Sequence, residues 1–345
     1  MLHPSGDGRE DGDRGPLARD RRFPPPSLLI GLLLLGLAAA LMLSLLPGFS
    51  KAQRSAHAAR RTDPMAEAAK EHAIRTLTEF DTGKVTRLPG GRVLREYWIE
   101  ALNKEIEVAP GVRYAAWTFN GAVPGPTLRC TEGDSILVHF TNKAAMPHSM
   151  HFHGIHAAGM DGVFEQVPPG SSFDYAFTAR PFGLHLYHCH TMPVKMHIAR
   201  GLYGVFLVDP KTPRPKAREM VMVMNGFDTD LNGEDNEFYT VNGFANVFFR
   251  DYPIPIKQGE LQRVYLVNMT EFDLLNSMHT HATFFHVYPT GTSMTPTIYT
   301  DTISMGQGER AILEFRYDYP GRFLFHAHQN EFAELGWLGQ FEVKP

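Results

Sequence analysis

Four histidine-x-histidine triplets constrain this chain more than anything else in it: His151-Phe152-His153, His188-Cys189-His190, His279-Thr280-His281 and His326-Ala327-His328. They fall in two stretches of similar length, and each stretch holds one early triplet and one late one. Between the stretches lies VDPKTPRPKAR, residues 208–218, which carries three prolines and four basic residues and reads as a linker. On either side the texture is the same from about Glu96 onward. Short apolar runs such as YWIEAL, RYAAWTF, SILVHF, LYGVFLV, QRVYLV and RAILEF are punctuated by Gly, Pro and Asn. Many short strands with turn signals between them predict an all-β chain of Greek-key sandwiches. The repeated order of the triplets predicts that one such domain has been duplicated. The expected boundaries are 96–210 and 211–345.

Alternate side chains of a strand share a face, so both histidines of a triplet reach the same side while the central residue points away. At His188-Cys189-His190 this carries chemical meaning. A thiolate with imidazoles, His197 included, is the donor set of a mononuclear electron-transferring copper centre. With Cys189 on one face and His188 and His190 on the other, such a copper can stand one residue of backbone away from further metals. A single triplet would read as an ordinary strand pair. Four of them gather eight of the chain's 17 histidines, about the number that three copper ions with two to three nitrogens each require.

The segment 125–154, GPTLRCTEGDSILVHFTNKAAMPHSMHFHG, resembles the first copper-binding motif of the multicopper oxidases, and HCH followed by HIARGL resembles their last. The likeness covers roughly residues 96–345. It implies two tandem cupredoxin-like β-sandwich domains, as in the two-domain, laccase-like oxidases with the blue copper in the first domain. Carried over position by position, it implies a type 1 copper on His148, Cys189 and His197, with Leu202 at the axial place. His151 and His279 take the type 2 position. His153, His188, His190, His281, His326 and His328 take the type 3 pair, for four coppers in all. Asn276, Ala327, Phe332 and Trp337 stand where a second type 1 site would have its ligands, so that site is lost. In two-domain relatives neighbouring subunits of a homotrimer share the trinuclear cluster, which a head-to-tail ring allows.

The loop departs from the family pattern, because His197 follows Cys189 by eight residues instead of five. Its insert carries Met192 and Met196, which are read either as packing and substrate contacts or as one residue that reaches the copper. Asp161 aligns with an acidic residue that the family keeps near the type 2 copper. It reads equally as a proton relay or as an Asp-Gly turn. His156, His185 and His286 read as neighbours of the ligands, His139 as a strand surface residue, and Glu331 and Glu334 as possible proton carriers. Met220, Met222 and Met224 read as core.

Residues 1–26 are polar and read as a disordered tail. Residues 27–48 hold an uncharged apolar run long enough to span a bilayer as a helix, either a retained anchor or a cleaved signal. Residues 49–95 read as a spacer with a short helix capped at Asp63-Pro64. These features, with the copper chemistry, predict catalytic domains outside the cytoplasm, anchored to a membrane or secreted. A net charge of −4 supplies no basic field for nucleic acid. The only cysteines are Cys130 and Cys189, so a metal-bound Cys189 excludes an intrachain disulfide. The function implied is the oxidation of a phenol, aromatic amine, metal ion or redox protein, coupled to reduction of dioxygen to water. The rivals are a copper nitrite reductase, and an electron carrier with no turnover of its own.

Overall fold

The computed structural model describes residues 63–345, and the expected tail and apolar anchor lie outside the described residues. Among the described residues no helix is long and apolar enough to cross a membrane.

The first β-domain has two sheets. One runs β1 (Lys84–Arg87), β2 (Val93–Ala109), β5 (Ser135–Asn142), β7 (Ser172–Thr178), with β3 (Val112–Phe119) also on β2. The other runs β4 (Leu128–Thr131), β9 (Tyr203–Asp209), β8 (Gly183–His188), β6 (His151–Phe152). The second domain repeats the plan. One sheet is ordered β11 (Phe238–Val241), β10 (Arg218–Phe227), β13 (Gln262–Asn268), β18 (Arg310–Phe315), β15 (Phe285–Pro289), β16 (Ile298–Thr300). Its partner is ordered β12 (Ile254–Lys257), β20 (Leu338–Lys344), β19 (Gly321–His326), β14 (Leu275–Thr280), β17 (Thr302–Gly306).

The duplication extends to register. Parallel pairs β2–β5 and β4–β9 in the first domain answer to β10–β13 and β12–β20 in the second. His151 pairs with His188 across β6 and β8, and His279 pairs with His326 across β14 and β19. Each early triplet is thus locked beside its late one by backbone pairing.

Each sandwich has its own apolar core, and a third apolar layer joins them. Met220, Met222 and Met224 of β10 face the second core, while the intervening Val221 and Val223 meet Leu184, Leu186, Val205 and Leu207 of the first domain. This period of two buries both faces of the strands at the junction. Beside the apolar layer, Arg129 of β4 forks onto Asp209 at 2.8 and 2.9 Å and reaches Glu219 of β10 at 2.7 Å. Arg263 of β13 joins Glu219 to Glu314 at 3.2 and 2.6 Å. Cys130 is a buried free thiol.

The segment expected to be a spacer is part of the packed body. Helix α1 (Pro64–Thr76) begins as predicted, with the Asp63 carboxylate accepting from the amide of Met65 at 2.9 Å. Its small residues let it lie close against the sandwiches. Ala73 and Leu77 enter the second core. His72 Nε2 meets the carbonyl of Pro124 in the first domain at 2.9 Å. Asn242 donates to the carbonyl of Ala73 at 3.3 Å, and Lys70 pairs with Asp251 at 2.9 Å. The helix therefore braces both domains, and β1 adds a strand to the first.

Candidate metal centre

Three elements deliver the first donor set. His148 lies in the loop before β6 and exchanges backbone hydrogen bonds with Val167. Cys189 directly follows β8. His197 sits in the short helix α2 (Val194–Ala199). All three side chains are fully buried. The two Nδ1 atoms are 3.1 Å apart, and Cys189 Sγ lies 3.2 Å from His197 Nδ1 and 3.8 Å from His148 Nδ1. Both Nε2 atoms point away and have no partner. Burial pushes the His148 and His197 imidazoles down to about 4, aided at His148 by the neighbouring ring, so both are neutral near pH 7. Two neutral nitrogens and a sulphur converging on one point, with no proton pattern that pairs all three, fit one soft metal ion.

Burial raises the Cys189 thiol, opposed by hydrogen bonds from Ser149 and Thr191. The Ser149 amide points at the sulphur at 3.4 Å. Leu202 is fully buried in the core that holds Cys189, and its carbonyl accepts from the Cys189 amide at 3.0 Å. Met192 is 72 % exposed and stands away from this buried set, whereas Met196 packs against the same core.

On the other face of the strand ends, His151, His153 and His188 bring their donors within 4.8 Å of one another. The Nε2 atoms of His153 and His188 are 3.2 Å apart, and the His190 ring stands 5.3 Å from that of His151. The second domain repeats this set with His279, His281 and His326. His281 Nε2 lies 3.1 Å from His326 Nε2, and the His328 ring is 5.3 Å from that of His279. Ser149 Oγ accepts from the amide of His190, as Ser277 Oγ does from that of His328.

Backbone carbonyls fix the tautomers. His188 Nδ1 donates to the carbonyl of Cys189 at 2.9 Å and His326 Nδ1 to that of Ala327 at 2.7 Å. His151 Nδ1 meets Asp161 twice, at its carbonyl (2.8 Å) and its carboxylate (3.2 Å). His279 Nδ1 meets the Asp301 carbonyl at 3.0 Å and Thr302 Oγ1 at 2.9 Å. Each ring so held turns a free Nε2 lone pair toward its cluster. Burial, then neighbouring charges, pushes His153 down to about 3 and His188 to about 4. Asp301 was not legible in the sequence, because it follows His279 by 22 residues where Asp161 follows His151 by ten.

Within one chain the two sets are separate clusters, each drawn from a single domain. The second faces a cavity of about 600 Å³ lined by His279, His281, Phe284, Asp301, Arg322 and Phe323. Where the first domain holds its buried triad, the second is plugged. Ala327, Phe332 and Trp337 belong to its core, Phe332 stacks on Tyr239 at 3.8 Å, and Asn276 bonds to Thr270 and Ser277.

The histidines near the clusters have partners of their own. His156 Nε2 meets the carbonyl of Phe152 at 2.9 Å, with the Asp161 carboxylate 3.8 Å away. His185 meets the carbonyl of Pro181 at 2.8 Å, His286 lies over Tyr299, and His139 lies over Trp98. Glu331 and Glu334 are exposed on helix α3 (Asn330–Glu334).

Residues 100–213 and 225–345 each match a family model described as multicopper oxidase. The chain belongs to the multicopper oxidase family. A solved multicopper oxidase is 55 % identical with a TM-score of 0.77, covering 79 % of this chain and 96 % of that one. The copper-containing nitrite reductase of Neisseria meningitidis is 33 % identical over 266 residues, 71 % of this chain and 68 % of its own length. The solved copper nitrite reductase of Nitrosomonas europaea is 30 % identical with a TM-score of 0.67, covering 73 % of this chain and 94 % of that chain. Family membership makes the chain a copper-binding oxidoreductase. The buried thiolate–imidazole triad and the back-bonded Nε2 donors fit that metal.

Proposed function

We propose that this multicopper oxidase reduces dioxygen, accepting electrons singly from a reducing substrate at His148, Cys189 and His197. The observation that carries the reading is the doubled histidine cluster. His151 and His190 stand beside His153 and His188, and His279, His281, His326 and His328 repeat that foursome in the second domain. A nitrite reductase has, besides its type 1 site, a catalytic centre of one copper with three histidines and a nearby aspartate. That family places the aspartate where this chain has His151, and it lacks a histidine at the position of His190.

Bound at these residues, copper supplies one-electron transfer at the buried triad and Lewis-acidic redox chemistry at the histidine clusters. The chain supplies the rest. Cys189 faces the triad while its neighbours His188 and His190 face the cluster, so the covalent path between the two is one residue long. Full burial of His148 and His197 keeps water from the triad. Leu202, buried beside Cys189, offers no thioether, which would favour a strongly oxidising centre with copper held by the triad. The Asp161 carboxylate, 3.2 Å from His151 Nδ1 and a third exposed, can pass protons from solvent.

Each chain holds its two half-clusters apart, which supports a head-to-tail homotrimer that closes them against each other. We assign residues 27–48 as the membrane anchor or export signal, with the copper domains outside the cytoplasm. The donor is a small reductant (a phenol, an aromatic amine or a metal ion) or a redox protein.

The test is turnover of the copper-loaded protein in an oxygen electrode. Four one-electron donors consumed per dioxygen, without peroxide release, is the expected result. Anaerobic conversion of nitrite without oxygen uptake would make the chain a nitrite reductase. Neither activity, with a reducible blue centre, would make it an electron carrier.

A further inference from the structure

Carbonyl oxygens stand behind four of the cluster rings, those of His151, His188, His279 and His326. His153 is backed differently. Its Nδ1 lies 3.4 Å from Nη1 of Arg310, and a guanidinium has only hydrogens to offer. Arg310 opens β18 in the second domain, yet its side chain crosses the junction. Nε donates to the carbonyl of Leu184 at 3.1 Å, on the strand that ends in His188. Nη1 also approaches the carbonyl of Gly308 at 3.4 Å. All of these partners are neutral. A half-buried guanidinium gives up more solvation here than the neighbouring Glu309 carboxylate returns. The fold thus sustains, at a cost, a positive charge against the back of one ring.

A carboxylate behind a metal-bound histidine makes the ring a stronger donor to a highly charged ion. A cation behind it does the opposite, and a doubly charged ion feels the repulsion more than a singly charged one. We propose that Arg310 is a positioning residue that sets its charge behind the His153 ring from the second domain and thereby biases copper held by that ring toward the cuprous state. This rests on His153 being a copper ligand, as the oxidase reading has it.

The experiment compares the full-length wild type with Arg310→Met and Arg310→Lys. Competition with cupric and cuprous chelators gives the affinity of the histidine sites for each ion, while the thiolate absorption band follows the Cys189 site separately. Arg310→Met is expected to raise the cupric-to-cuprous affinity ratio of the histidine sites on the order of tenfold. Arg310→Lys keeps the charge and stays near wild type. The Cys189 site is unchanged in both. Should Arg310→Met not fold, Arg310→Gln carries the same expectation, since it removes the charge but keeps a donor. An unchanged ratio, or equal weakening for both ions, overturns the proposal while leaving the oxidase reading intact. A wild type that binds copper only at Cys189 overturns both.

Discussion

Replacing Asp161 by asparagine separates the two readings of that residue. The carbonyl of Asp161, not its side chain, makes the shorter contact to His151 Nδ1, at 2.8 Å against 3.2 Å for the carboxylate. Asparagine keeps the backbone oxygen, the side-chain volume and the local turn, so His151 keeps its tautomer and its ligand nitrogen. What disappears is one acidic group about a third exposed to solvent. If Asp161 is only a turn residue, oxygen uptake should stay within about twofold. If its carboxylate carries protons, uptake should fall roughly a hundredfold, equivalent to about 2.7 kcal/mol of transition-state free energy. Copper content and the thiolate band should not move. We expect the large fall, measured as oxygen uptake at saturating reductant with copper counted on the same sample. Wild-type turnover would refute the proton role. Lost copper would refute the claim that the backbone carbonyl alone holds His151.

Arg129→Met should leave the Asp209 and Glu219 carboxylates without their fork and cost about 3 kcal/mol, seen as a melting temperature lower by roughly 8 °C; an unchanged melt would show that the network does not clamp the domains. At Gly162, where φ is +71°, a Cβ would stand 2.1 Å from the carbonyl oxygen of Met150, so Gly162→Ala should shift the loop that holds Asp161 against His151 and cut oxygen uptake more than tenfold. Burial pushes His72 down to about 4, below its unfolded value near 6.5. The unfolded chain therefore binds more protons in that window, and the stability due to neutral His72 is present above pH 6.5 and lost as pH falls toward 4. His72→Gln should flatten the acid limb of copper-free unfolding by on the order of 2 kcal/mol between those pH values, and an unaltered limb would remove His72 from the account.

Much of this was legible in the sequence because its signals are local. Two histidines two residues apart need only extended backbone to share a face, and each triplet begins in the end of a strand, β6, β8, β14 or β19, and runs past it. The duplication showed in the order of the triplets, and the loss of the second buried triad showed at Asn276, Ala327, Phe332 and Trp337. What stayed hidden depends on contacts across the fold. Asp301 reaches His279 through the pairing of β14 with β17, and no spacing rule connects it to Asp161. Arg310 looks like any strand-opening cation until the second domain is laid against β8. Helix α1 carries alanine, lysine and glutamate in proportions that suit a solvated spacer, and only the packed domains show Ala73 and Leu77 entering a core.

On the proposed function, the eight triplet histidines, with His148, Cys189 and His197, hold four coppers per chain. Copper should be counted on the purified, fully loaded protein, with its absorption and paramagnetic-resonance spectra recorded on the same sample. The expected result is about four coppers per chain, a blue thiolate band, and only half of the copper paramagnetic, as coupling of two of the ions would make it. About two coppers per chain, both paramagnetic, would contradict it and make nitrite the substrate to test.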